Sequence, residues 1–176
     1  MFIAKVFSIF FVCLLAACGT SVPQTANSTS TEKPDLSLTM ERSQCLGNCP
    51  VYKLEVLQNG RVLFEGSSFS EKDFSSTKST GKKETTLSDE KINQIIAEID
   101  KTDFFSLKND YTNLGEAGNC ATDNPTVILS IKLKGKEKQT KHNLGCIGTT
   151  DVAKLTNLEN KIDEIVETKR WIGERK

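Results

Sequence analysis

Four cysteines and one histidine are the residues of this chain best equipped for chemistry. Cys45 and Cys49 stand in Cys45-Leu46-Gly47-Asn48-Cys49-Pro50, His142 and Cys146 share the same spacing in His142-Asn143-Leu144-Gly145-Cys146, and Cys120 lies between. Thiolates and an imidazole are zinc and copper(I) ligands, so Cys45, Cys49, His142 and Cys146 have the residue types of a metal site. The same cysteines can instead close disulfides or act as redox thiols. Hydrolysis and group transfer have less to draw on. His142 is the only histidine, so it would have to be the base of any Ser-His or Cys-His pair. The sequence contains no Gly-x-Ser-x-Gly, no phosphate loop and no His-Glu-x-x-His, and nothing in it pairs two carboxylates. No catalytic residue is assigned, and the expectation is a protein that is not an enzyme.

These residues need elements to position them. Cys45 and Cys49 flank Gly47-Asn48, two residues that tolerate positive φ, so a tight turn is expected there. Pro50 lacks a backbone donor and suits the first position of a strand. Residues 51–57 alternate apolar and polar, Gln58-Asn59-Gly60 turns the chain, and residues 61–65 return it. A two-residue loop at Asn59-Gly60 would pair Leu57 with Val62 and split the apolar residues between two faces. A three-residue loop, with Gly60 in a left-handed bulge position, pairs Val56 with Val62 and Leu54 with Phe64. Only that register puts Tyr52, Leu54, Val56, Val62 and Phe64 on one face, and a one-residue slip would invert every side chain. The bulged turn is therefore predicted.

The residues Cys45-Leu46-Gly47-Asn48-Cys49-Pro50-Val51-Tyr52, then Asn59-Gly60 and Phe64-Glu65-Gly66, resemble a family of bacterial envelope proteins catalogued as domain of unknown function 6438. Asp103-Phe104-Phe105-Ser106-Leu107, Asp123-Asn124-Pro125-Thr126, His142-Asn143-Leu144-Gly145-Cys146 and Thr168-Lys169-Arg170-Trp171-Ile172-Gly173 are similar as well. The resemblance covers residues 36–173. It implies a secreted or lipid-anchored α+β domain and implies no activity. Cys-x3-Cys-Pro with a distant histidine also resembles envelope copper chaperones of the thioredoxin fold. In that fold a helix follows the motif, whereas residues from Val51 onward read as strand.

The N-terminus reads as an address. Lys5 precedes an apolar run over residues 6–15, broken by Ser8. That is the charged and apolar part of a signal peptide, and it is shorter than the roughly 20 residues a spanning helix needs. Leu15-Ala16-Ala17-Cys18 looks like a bacterial lipobox, which implies cleavage after residue 17 and lipid on Cys18. Cys13 lies in the removed segment. Several acyl chains make stable anchoring, each buried methylene adding about 0.8 kcal/mol. Gly19 follows Cys18, which by resemblance to Gram-negative lipoproteins favours the outer membrane. Residues 18–35 are polar, with almost no apolar side chains, and read as a flexible tether reaching roughly 20–25 Å.

Lys+Arg and Asp+Glu number 23 each over 176 residues. Lys5 is the only charged residue ahead of Cys18, so the processed chain is nearly neutral and shows no basic excess for nucleic acid. A local lysine cluster over residues 132–141 reads as a solvated strand face.

In the folded part, residues 36–40 alternate as a first strand. Residues 77–86, rich in Thr and Lys, are expected as an edge strand. Ser88 caps a helix to about Lys101, with Ile92, Ile95, Ile96 and Ile99 on one stripe. Phe104, Phe105 and Leu107 form a short turn against the core. Residues 108–124 make a long loop; its acids and amides match no EF-hand spacing. Residues 126–133 alternate Val127, Leu129, Ile131 and Leu133 inward, and residues 136–143 return as a polar strand. Thr149 or Thr150 caps a second helix with Val152, Leu155, Leu158, Ile162, Ile165 and Val166 on its stripe, and Trp171 and Ile172 close the core beyond it. The fold class expected is α+β: an antiparallel sheet of about five to six strands with two helices on one face.

An envelope location is oxidising, so disulfides are the default for Cys45, Cys49, Cys120 and Cys146. Three pairings are possible, and Cys45–Cys49 with Cys120–Cys146 is favoured. The second bond would pin the long loop and stabilise by roughly 3–4 kcal/mol; the short first loop gives about 2 kcal/mol. The expectation is thus a signal peptide (1–17), a lipid-anchored tether (18–35) and one domain (36–173). That domain is expected to bind or to serve structurally in the envelope, without a cofactor or nucleic acid, held to the membrane by its lipid and meeting an envelope protein or small ligand. The alternative is a thiol-based zinc, copper or redox site at Cys45 and Cys49 with His142 and Cys146.

Overall fold

The computed structural model describes residues 35–46, 49–67, 81–115 and 118–172. The tight turn expected at Gly47-Asn48, the first residues of the expected edge strand, and the signal peptide, Cys18 and the tether all lie outside the described residues.

Alternation sets the strands. β1 (Leu36–Arg42), β2 (Val51–Val56) and β3 (Arg61–Ser67) form a meander, and β4 (Gly81–Thr86) adds an exposed edge. β2 and β3 pair Leu54 with Phe64 and Val56 with Val62, the predicted bulged register. Gly60 takes φ 79°, and its N–H donates to the Leu57 carbonyl at 2.8 Å. The position also needs glycine for space: a Cβ would lie 3.2 Å from both Ile92 Cδ1 and the Leu87 carbonyl oxygen.

After α1 (Asp89–Thr102), a 3-10 turn at Phe104–Ser106 leads to β5 (Asp110–Tyr111) and β6 (Asn119–Cys120). β7 (Thr126–Leu133) and β8 (Lys136–Asn143) form the second hairpin, followed by β9 (Cys146–Ile147), α2 (Thr150–Val166) and α3 (Lys169–Ile172). The main sheet has seven strands in the order β4-β3-β2-β1-β7-β8-β5, antiparallel except where β5 runs parallel to β8. β6 and β9 make a separate two-stranded sheet. The α+β class holds. The extra strands are the two-residue β5, β6 and β9, too short to leave a period in the sequence.

Both long helices are capped as their sequences require. Ser88 Oγ accepts from the Lys91 N–H, and Thr149 Oγ1 accepts from the Val152 N–H. Ile92, Ile95 and Ile99 of α1 and Val152, Leu155, Leu158, Ile162 and Val166 of α2 are buried against the inward side chains of β1, β2, β3 and β7. Ile96 and Ile165 pack partly buried beside them. Phe104 fills the core from the 3-10 turn, and Trp171 closes it with its ring centroid 4.9 Å from that of Phe64. No described helix is long and apolar enough to cross a membrane.

Candidate binding surface

The end of the sheet where β1 stops and β2 starts gathers three loops. Cys45 is joined to Cys49, Cα–Cα 5.9 Å, and Cys120 to Cys146, Cα–Cα 3.8 Å. This is the favoured pairing. The segment between β6 and β7 is the hinge-pin of the arrangement. On one side the Leu46 N–H donates to the Asp123 carbonyl and the Ser43 N–H to the Thr126 carbonyl, both at 3.0 Å. On the other, the Ala121 N–H donates to the Gly145 carbonyl at 3.0 Å and the Leu144 N–H to the Pro125 carbonyl at 2.9 Å. Gly145 must lack a side chain here, since a Cβ would come within 2.6 Å of the Ala121 carbonyl oxygen. The long loop after the 3-10 turn is therefore ordered at both ends: β5 ties its start to β8, and the Cys120–Cys146 bond ties its end to β9.

Two large apolar side chains are left in solvent among the described residues: Leu46, 71 % exposed, and Ile147, 64 % exposed. Leu46 lies inside the Cys45–Cys49 loop, and Ile147 follows Cys146 and pairs with Asn119. Both thus sit on backbone fixed by a disulfide and bonded to the same 119–126 segment.

Beneath this pole lies a buried polar network. Arg42, in register with Leu36, Leu38 and Met40, points inward from β1. Its Nη2 donates to Asp163 Oδ2 of α2 at 2.7 Å, and its Nε donates to Tyr52 Oη at 2.8 Å. Tyr52 Oη donates to Asp163 Oδ1 at 2.5 Å, and the Thr168 hydroxyl donates to the same oxygen at 3.0 Å. Burial pushes the Tyr52 phenol well above its usual range, with Asp163 adding to the shift and Arg42 opposing it. Burial works against the Arg42 charge, but Tyr52, Asp163 and Glu159 outweigh it and its pKa rises. One turn back on α2, Glu159 meets His142 of β8, both fully buried. Burial raises the Glu159 carboxyl, and the His142 bond and Arg42 pull it back in part.

The residues of the alternative metal site do not come together. Cys45 and Cys49 are bonded to each other, Cys146 is bonded to Cys120, and the His142 ring faces Glu159. Among the described residues no three His, Cys, Asp or Glu side chains form a group able to hold a metal ion. Sequence reasoning missed Arg42, Glu159 and Asp163. A signal existed: Arg42 keeps step with the apolar face of β1, and Glu159 falls four after Leu155 and three before Ile162 on the α2 stripe.

Residues 36–166 match the family described as Domain of unknown function (DUF6438), and the chain belongs to that family. No curated protein matches it.

Proposed function

We propose that this member of the family is a lipid-anchored protein of the bacterial envelope, that its single domain (residues 36–173) binds a partner without catalysing a reaction, and that the pole carrying both disulfides is the contact surface. The anchor reading is supported by the sequence alone: Lys5, a short apolar run and Leu15-Ala16-Ala17-Cys18, then a polar tether. Gly19 after the lipid-bearing cysteine favours the outer membrane. The binding reading is carried by one observation. Leu46 and Ile147 stay in solvent on backbone that two disulfides hold in place. Apolar side chains kept out of the core on rigid supports lose little freedom on docking, and they suit the pockets of a protein partner.

A photo-reactive amino acid at position 46 or 147, in cells making the full chain, tests the surface. Discrete covalent adducts are expected from both positions and none from position 94, on the exposed side of α1. Equal adducts from all three positions, or none from 46 and 147, would remove the pole as a binding surface. Labelled palmitate is expected to enter the wild-type chain and not Cys18→Ser; equal labelling would end the anchor reading.

A further inference from the structure

Strand β8 is only half covered on its outer side. β5 pairs with Lys141 and His142 alone, and the Lys141 N–H donates to the Asn109 carbonyl at 2.8 Å. Backbone groups of alternate residues point the same way along a strand, so Glu137 and Gln139 turn their N–H and C=O groups away from β7, as Lys141 does. No described strand pairs with Glu137 or Gln139 on that side. Beside them runs an open groove of about 710 Å³, lined by Phe105, Asn109, Asp110, Glu137, Gln139 and Lys141 among others.

Charge selects the occupant. Lys132, Lys134, Lys136, Lys138 and Lys141 lie along β7, the turn and β8, against Glu137 on the strand and Asp110 across the groove. Lys138 Nζ donates to the Phe105 and Leu107 carbonyls, and Lys136 stands 5.7 Å from the Phe105 ring centroid. Those two lysines fix the 3-10 turn as the wall of the groove. Lys132 and Lys134 form no ion pair with another described residue. A second copy of the chain would bring two β8 strands of the same net charge together, each with Lys136, Lys138 and Lys141 against Glu137 alone, and net like charge repels. An extended segment with carboxylates would be attracted instead, and its backbone would find the free donors and acceptors of Glu137 and Gln139.

We infer that the free edge of β8 is a docking site for an extended acidic segment of a partner protein, added to the sheet as a strand next to β5. The site is separate from the disulfide pole and does not rest on its being a binding surface.

The test uses the full chain and a short peptide alternating valine and glutamate, followed by backbone amide shifts and hydrogen exchange. Binding is expected to slow exchange at the Glu137 and Gln139 amides and to weaken as salt is added. The counterpart alternating valine and lysine is expected to bind about tenfold or more weakly. Gln139→Pro removes an edge backbone donor that β7 does not use, together with the exposed side-chain bond to Ser130; it is expected to weaken binding about tenfold, and Gln139→Ala, which loses only the side-chain bond, is expected to bind as wild type does. Lys132→Glu together with Lys134→Glu is expected to weaken it several-fold without touching the edge backbone. Equal affinity for the two peptides, unchanged exchange at Glu137 and Gln139 at saturation, or self-association of the chain through this edge would overturn the inference. If Gln139→Pro does not fold, exchange at the wild-type edge still decides.

Discussion

His142 Nδ1 lies 3.1 Å from each carboxylate oxygen of Glu159, and neither side chain has any solvent exposure. The pair joins β8 to α2 inside the core, beside the Arg42–Tyr52–Asp163 network. Its surroundings are charged on one side only: Arg42 from β1 and Asp163 from α2. Burial favours a proton on the Glu159 carboxyl. His142 Nε2 and Thr140 Oγ1, both inward from β8, have no hydrogen-bond partner among the described residues.

The pair makes stability depend on pH in a direction opposite to ordinary acid denaturation. Burial raises Glu159 above its ordinary 4.5, so the folded chain holds this proton to higher pH than the unfolded chain does. The stabilisation is complete below 4.5 and falls as pH rises through the folded value. Urea unfolding of wild type and Glu159→Gln across that range is expected to give a difference in stability that grows in favour of the variant as pH rises. A difference that does not change with pH would contradict it.

Arg42 and Asp163 should be hard to separate. Asp163→Asn leaves a buried guanidinium poorly paired and is expected to cost about 3 kcal/mol. Tyr52→Phe removes one hydrogen-bonding hydroxyl and should cost about 1 kcal/mol. With Asp163→Asn already present, Tyr52→Phe is expected to cost less than it does alone, because both act on the same carboxylate. Urea midpoints for the two single variants and the double variant give the coupling.

The hairpin register and the two helix starts were legible because local rules settle them, whereas the disulfide pairing was one of three, favoured on an oxidising location and on loop length, and it is the pairing found. Alternation and Asn59-Gly60 admit one register that keeps Leu54, Val56, Val62 and Phe64 together; Ser88 stands where a cap is expected, and of Thr149 and Thr150 the structure uses Thr149. The polar network was not legible as a network. Arg42, Tyr52, His142, Glu159 and Asp163 come from four elements, and each has a local reading that is correct as far as it goes: end of a strand, apolar face, polar strand, solvated helix. Only the crossing of α2 over β8, β1 and β2 turns them into one cluster. His142 also shows why residue type alone misleads, since its spacing to Cys146 matches a ligand pair while β8 turns its ring toward α2.

The two disulfides are expected to contribute unequally. Replacing Cys120 and Cys146 by serine opens the larger loop and should lower stability by about 3–4 kcal/mol; replacing Cys45 and Cys49 should lower it by about 2 kcal/mol. Exchange protection at Ala121 and Leu144 should fall with the first pair and persist with the second. Thermal unfolding and amide exchange on the two double variants check both statements.

Gly60→Ala tests the turn. Its φ of 79° disfavours any side chain, and the new methyl would press on Ile92 and Leu87. A loss of about 1–2 kcal/mol is expected. Gly135→Ala, also at positive φ but with open space around it, should lose less. Comparing their urea midpoints separates steric conflict from backbone strain.

β1 is the first described strand yet sits in the middle of the sheet, between β2 and β7. Leu36 faces Leu133 there, so the domain's opening residue waits for a partner made about a hundred residues later. The meander β1 to β4 with α1 can assemble early, but its β1 side remains a bare apolar edge until β7 arrives. A premature stop ahead of β7 would leave that edge open for good. Synthesis must therefore reach β7 before that edge is covered, and an accessory factor that shields new chains would be needed most during that delay.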